Sequence, residues 1–178
     1  SDQENNGVIL QLPLPEHINT QQALDNIISE KDVDILSSRA FGGKILTPVA
    51  GAIKEILGRN NIDVRGKNAV VVGSGLLVGK PSAIWLMSQG ATVSIINEYT
   101  KNPKTYTLMA DIIISGVGKP SLIKSEMVKE GVIIIDAAGD IEPSVAEKAS
   151  LFTPILGGVG PITVAMLFKN LVELNKEN

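Results

Sequence analysis

Residues 70–82 read VVVGSGLLVGKPS: valines run into Gly73, Gly75 follows, and Gly79-Lys80-Pro81 comes after. Bare backbone beside a helix start suits a phosphate, because amide N–H groups and the positive helix end attract anions. Two phosphate motifs compete for the stretch. A P-loop needs Gly, four residues, then Gly-Lys-Ser/Thr. Here Ser74 stands at its first glycine, and Pro81 stands where the magnesium-binding hydroxyl belongs, so that motif fails. A dinucleotide fingerprint needs Gly-x-Gly-x-x-Gly between a strand and a helix. Gly73 and Gly75 fit it, and Gly79 is the third glycine, one position late. Gly73 would allow the tight turn, Gly75 would admit pyrophosphate, and the helix opening near Gly79 would offer free N–H groups. A glycine-rich turn that binds nothing is the alternative, and Lys80 reads as an exposed helix-start lysine.

A second cue favours the dinucleotide. ATVSIIN (91–97) reads as the next strand, and Glu98 follows it. An acid about 20 residues past the glycines accepts hydrogen bonds from the adenosine ribose hydroxyls. Glu98 would repel a 2′-phosphate, and the loop has no arginine, so NAD is favoured over NADP. A solvated loop glutamate is the competing reading. His17, the one histidine, has no ligand or triad partner in the pattern and reads as surface or local structure. No metal is expected.

The elements that must hold these residues alternate from Asn68 onward. NAVVVG, ATVSIIN, DIIISGVG and GVIIID read as strands, with a further short one near Phe152. Helices are expected over 80–89, 104–110, 125–129, 143–149 and from Thr163 to Glu173. Buried strands separated by helices imply right-handed βαβ units and a parallel sheet. Upstream, GVILQLPLP (7–15) reads as a strand ended by prolines. Asn19 with Gln22 resembles a capping box opening a helix through Ile28, and Thr47-Pro48 reads as N-cap and N1 of another. Polar residues 60–67 mark a domain boundary. The fold class is thus α/β, a Rossmann-type doubly wound parallel sheet with a remnant of a smaller α/β domain. Its expected division is 1–60, 61–160, and a returning helix over 161–178.

Composition agrees with that reading. The chain has 178 residues, 44% hydrophobic but only 3% aromatic, so its core is aliphatic, as in sheets buried on both faces. A net charge of −3 without a basic run argues against a nucleic-acid surface. Cysteine is absent, which removes disulfides and thiol chemistry and fits a reducing, cytoplasmic setting. No apolar run is long enough to span a membrane. The chain starts Ser-Asp-Gln-Glu-Asn-Asn without Met, so its natural start is expected upstream.

Several segments together resemble the bifunctional methylenetetrahydrofolate dehydrogenase/cyclohydrolases. GVILQLPLPEHI, KDVD (31–34), LTPVAG, VVVGSGLLVGKP, ATVSIINEYT, ADIIISGVGKP and TPILGGVGPITVAMLFKN occur in the family's order and cover nearly the whole chain. The resemblance implies a Rossmann domain carrying NAD or NADP beside a smaller folate-side domain. It implies oxidation of methylenetetrahydrofolate by hydride transfer, then hydrolysis to formyltetrahydrofolate. By similarity, Gln11 lies near the folate and the catalytic lysine, and Asp34 binds its pterin side. Gly160 and Pro161 shape the folate contact, and Thr163 opens the last helix near the cofactor. Gly73, Ser74, Gly75 and Gly79 line the dinucleotide, joined by Gly116, Val117 and Gly118 from a later strand end. A homodimer through an edge strand of the Rossmann domain is also implied.

The chain departs from the family pattern in several places. The Tyr-x-x-x-Lys motif, whose lysine is the cyclohydrolase acid/base, would precede GVILQLPLP and is absent; Lys31 and Lys44 are merely nearby lysines. Ser74-Gly75 stands where the family keeps the arginine and serine that hold a 2′-phosphate, and Asn97-Glu98-Tyr99-Thr100 replaces its serine-bearing turn. About a dozen residues are missing after Asp136, by comparison with usual loop spans; they belong to a loop that touches the nicotinamide. Ile35 replaces a glycine, and Leu156 replaces a proline. The expectation is an NAD(P)-dependent dehydrogenase of one-carbon folate metabolism, truncated or divergent and without cyclohydrolase activity. The alternative is a dinucleotide-binding or oligomerising relative without catalysis.

Overall fold

A computed structural model describes residues 5–176. Five parallel strands form one sheet: β1 (Asn68–Val72), β2 (Thr92–Ile96), β3 (Ile112–Ser115), β4 (Ile133–Asp136) and β5 (Leu151–Phe152), in the order β2-β1-β3-β4-β5. Five α-helices accompany them: α1 (Thr20–Asp25), α2 (Pro48–Arg59), α3 (Gly79–Ser88), α4 (Pro103–Met109) and α5 (Val159–Leu174). The doubly wound α/β reading therefore holds.

The strands are aliphatic because both sheet faces are covered. Strand side chains alternate between faces. Val71, Ile112, Ile114 and Ile135 meet Ile53 and Leu57 of α2 and Leu86 of α3. Their neighbours Val70, Val72, Ile113 and Ile134 point the other way, into a cluster with Val128, Ile141 and Val145. The chain leaves β1 through α3 to β2 on one side, then returns past β1 to place β3 on the other. That reversal opens a crevice at the carboxyl ends of β1 and β3, where open α/β sheets bind ligands.

Several expectations need correction. Residues 7–15 form no regular strand; a single parallel bridge joins Val8 to Asp32. Prolines at 13 and 15 remove donors that a ladder needs. The stretches at 125–129 and 143–149 are short 3₁₀ turns, Ser125–Met127 and Pro143–Glu147. The last helix starts at Val159, four residues before Thr163, because Pro161 falls in its first turn, where no intrahelical donor is required. The Asn19 cap is as expected, with Oδ1 accepting from the Gln22 N–H at 2.9 Å, but the helix ends at Asp25.

The N-terminal segments are fastened to α5. Asn170 is buried, and its Nδ2 donates to Val33 O at 3.1 Å and Leu46 O at 3.0 Å. One amide therefore ties the KDVD segment and the entry to α2 onto the same helix. α2 and α5 approach closely at Gly51, where a Cβ would sit 3.2 Å from Met166 Cγ. Among the described residues no helix is long and apolar enough to cross a membrane.

Candidate functional site

The crevice at the strand ends is built by glycines that have no room for side chains. Gly73 continues β1 with φ +93°, and its N–H donates to Ile96 O at 2.8 Å. A Cβ there would lie 2.9 Å from Val117 Cγ2, and one on Gly79 would run into the Gly73 carbonyl. The late third glycine therefore performs the close packing of loop on helix that the fingerprint demands. A Cβ on Gly116 would collide with Val78, so the two loops also touch across the switch point. Around Gly75 the space is open, and Gly118 has φ +79°. This is backbone shaped for the approach of a phosphate.

The helix opening differs from expectation in one respect. The Lys80 N–H donates to Gly75 O at 3.0 Å, and Pro81 has no N–H. Free amides therefore come from the loop and, in the first turn of α3, from Gly79 alone. Among the described residues, the amides of Ser74 to Val78 have no hydrogen-bond acceptor.

Beyond the glycines lies an apolar pocket of about 180 Å³, which Gly73, Ile96, Glu98, Val117, Lys119 and Leu122 help to line. Glu98 is carried at the tip of a tight turn. Thr100 N–H donates to Asn97 O at 3.0 Å, Tyr99 N–H to Asn97 Oδ1 at 3.1 Å, and Asn97 N–H to Thr100 Oγ1 at 2.9 Å. The turn presents the exposed carboxylate beside the pocket.

A second cavity of about 200 Å³ adjoins the loop on its other side. Gln11, Asp34, Thr47, Leu77 and Thr163 all line it, with Leu167 of α5. Leu77 belongs to the glycine loop, so the loop whose Gly73 lines the first cavity also lines the second. Gln11 is exposed, and its Nε2 donates to Leu12 O at 3.1 Å. Asp34 is partly buried; burial first, and the neighbouring Asp32 second, push its carboxyl up to about 6. Thr163 lies one turn inside α5, and its hydroxyl donates to Val159 O at 2.9 Å. Gly160 and Pro161 are exposed on the first turn of α5 and do not line this cavity.

Thr47 was expected only as a helix cap. Its side chain makes no cap bond, its Oγ1 is buried without a partner among the described residues, and the residue lines the second cavity. A buried hydroxyl left unpaired is costly, and a ligand or water group would satisfy it. Thr47-Pro48 carried the signal, but the same pair marks any helix start. The crowded glycines, the unbonded loop amides and the acid at the β2 end together fit a nicotinamide dinucleotide. Trp85 is buried in α3 and lines neither cavity, and His17 is exposed. Among the described residues, no three His, Cys, Asp or Glu are grouped to hold a metal.

Comparison with known proteins agrees. Residues 46–178 match the family model for the tetrahydrofolate dehydrogenase/cyclohydrolase NAD(P)-binding domain. The bifunctional protein FolD of Hydrogenobaculum sp. (strain Y04AAS1) is 41% identical over 198 residues, covering 99% of this chain and 70% of the relative. The FolD methylenetetrahydrofolate dehydrogenase/cyclohydrolase of Campylobacter jejuni superposes with a TM-score of 0.92 at 39% identity, over 97% of this chain and 67% of that one. The Trypanosoma brucei N5,N10-methylenetetrahydrofolate dehydrogenase-cyclohydrolase, solved with NADP and an inhibitor, has a TM-score of 0.89 at 31% identity, over the same shares.

Proposed function

This chain belongs to the tetrahydrofolate dehydrogenase/cyclohydrolase family, and on that premise we propose that it binds a nicotinamide dinucleotide and works as a methylenetetrahydrofolate dehydrogenase. The observation that carries this reading is the loop common to both cavities. The glycine loop that would cradle pyrophosphate also lines, through Leu77, the cavity holding Gln11, Asp34 and Thr163. Hydride transfer depends mainly on holding donor and acceptor in register, and one loop reaching both cavities would serve that. Bound there, the dinucleotide supplies the hydride acceptor. Asp34 would accept hydrogen bonds from the pterin N–H edge, Gln11 would orient the folate near the reacting carbon, and the Thr47 hydroxyl would find its missing partner. Residues 1–178 contain no counterpart of the family's Tyr-x-x-x-Lys lysine, so cyclohydrolase activity is not expected from these residues alone.

Glu98 and the missing loop arginine support NAD over NADP. The domain division at 60–67, the folate-side remnant and the returning α5 belong to the same proposal. So do a dimer through the exposed edge of β2, where Ile95 is 44% exposed, and a cytoplasmic setting, supported by the absence of cysteine. Calorimetric titration with NAD and NADP tests the reading, since Trp85 is badly placed to report on it. Binding of at least one is expected. Binding of neither refutes the cofactor assignment, and tight NADP with weak NAD refutes the role given to Glu98.

A further inference from the structure

Two buried carboxylates take no part in the chemistry described above. Asp136 ends β4, and its Oδ1 accepts the N–H groups of Ala138 at 3.1 Å, Gly139 at 2.8 Å and Asp140 at 3.1 Å. Its Oδ2 accepts from the Ile141 N–H at 3.0 Å. This turn delivers Asp140, itself wholly buried, to the segment after β3. There Oδ2 of Asp140 accepts from Ser115 Oγ at 2.6 Å and Val117 N at 2.7 Å, and Oδ1 accepts from Lys119 N at 2.6 Å. Neither carboxylate forms an ion pair among the described residues. A carboxylate offers about four lone-pair sites, and here they act on backbone geometry.

The segment so held is a wall of the proposed cofactor site. Val117 and Lys119 line the 180 Å³ pocket that also holds Glu98, and Val117 packs against the position of a Gly73 Cβ. We propose that Asp140 is a positioning residue for the adenosine end of the dinucleotide: anchored by the Asp136 turn, it fixes residues 115–119 in the shape that the adenosine moiety meets. This rests on the cofactor reading above. Segments after strand ends are ordinarily mobile, and three bonds to one buried group remove that freedom before the ligand arrives, which is where preorganisation raises affinity.

The test titrates the 178-residue chain with NAD, 5′-AMP and nicotinamide mononucleotide. Asp140→Asn keeps the size but turns one acceptor into a donor facing N–H groups. NAD and 5′-AMP should bind roughly tenfold more weakly or worse, while nicotinamide mononucleotide changes by less than about twofold. A purely structural role would affect both fragments alike in the protein that remains folded. An equal loss for both fragments, or no loss for 5′-AMP, overturns the proposal. If Asp140→Asn does not fold, Ser115→Ala removes one donor and leaves the carboxylate in place. It should weaken 5′-AMP about threefold, and an unchanged affinity overturns the proposal equally. A parent chain that binds neither these three ligands nor NADP instead refutes the cofactor reading, a result distinct from parent and variant binding equally well.

Discussion

Asp34→Asn is the most informative perturbation of the cavity that Asp34 lines. The Asp34 carboxyl is pushed from 3.8 up to about 6, first by burial and then by Asp32. The folded state therefore holds that proton more tightly than the unfolded chain does. Stability associated with Asp34 is present below about pH 4 and is lost as pH rises through about 6, then stays flat. A shift of about two units corresponds to roughly 3 kcal/mol, but Asp34 is only partly buried, and solvent screening reduces this to about 1–2 kcal/mol. Asp25, Glu55, Asp111 and Glu173 are shifted downward by hydrogen bonds, so their contribution runs the other way and is lost as pH falls below their ordinary range. Subtracting the parent curve from the Asp34→Asn curve removes these common contributions. The assay is urea unfolding of both proteins from about pH 4 to pH 8. The variant should gain on the parent by about 1–2 kcal/mol across the window from about pH 4 to pH 6, with no further change above it. A difference that is flat with pH, or that falls, would refute the assigned proton affinity and the argument that burial of Asp34 is uncompensated.

Other substitutions probe the scaffold. Asn170→Ala removes both bonds that hold Val33 and Leu46 to α5. A loss of about 2–4 kcal/mol is expected in urea unfolding, and a loss below about 0.5 kcal/mol would mean the carbonyls find water. Gly79→Ala forces a Cβ into the Gly73 carbonyl. It should cost about 1–3 kcal/mol in stability and weaken dinucleotide binding, read by thermal melting and calorimetry. Ile35 is buried, 2% exposed, with φ +57°, where a β-branched residue is strained. Ile35→Gly relieves about 1–2 kcal/mol of backbone strain but removes a core side chain contributing roughly 2–5 kcal/mol, so a net loss of about 1–3 kcal/mol should appear on urea unfolding.

The parts of the fold legible in the sequence are those whose cause is local. β1, β3 and β4 are runs of valine and isoleucine closed by a glycine or an aspartate, and no other element accommodates three consecutive buried β-branched residues as readily. The placing of Gly73 and Gly79 at the turn from β1 to α3, and of Glu98 after β2, is likewise read from type and spacing. What was not legible depends on distant partners. Asn170 lies 137 and 124 positions from the carbonyls it binds, and nothing in VAMLFKN announces them. Thr47 looks like any helix cap until its hydroxyl is found unbonded. Residues 7–15 have a strand's composition but lack a neighbouring edge beyond Asp32.

The shortened connection after β4 shows how a departure from the family pattern can leave the sheet intact. The Hydrogenobaculum match runs over 198 residues against 178 in the whole chain, so about 20 positions of the alignment have no residue here. The sequence locates about a dozen of them after Asp136. A cut beside an interior strand such as β4 would ordinarily expose backbone donors. Instead, the Asp136 carboxylate takes four of them, and Gly139, with φ +81°, provides the reversal. The chain then rejoins the fold at Ile141, which bridges to Ile123 and is buried with Val145. On the proposed reading, the residues absent after Asp136 would have covered the nicotinamide side, while Asp140 still holds residues 115–119 beside the 180 Å³ pocket. Restoring a longer loop between Ala138 and Asp140 should slow exchange of bound nicotinamide without changing affinity for 5′-AMP. An equal change in both would mean that the short turn shapes the whole crevice rather than one end of it.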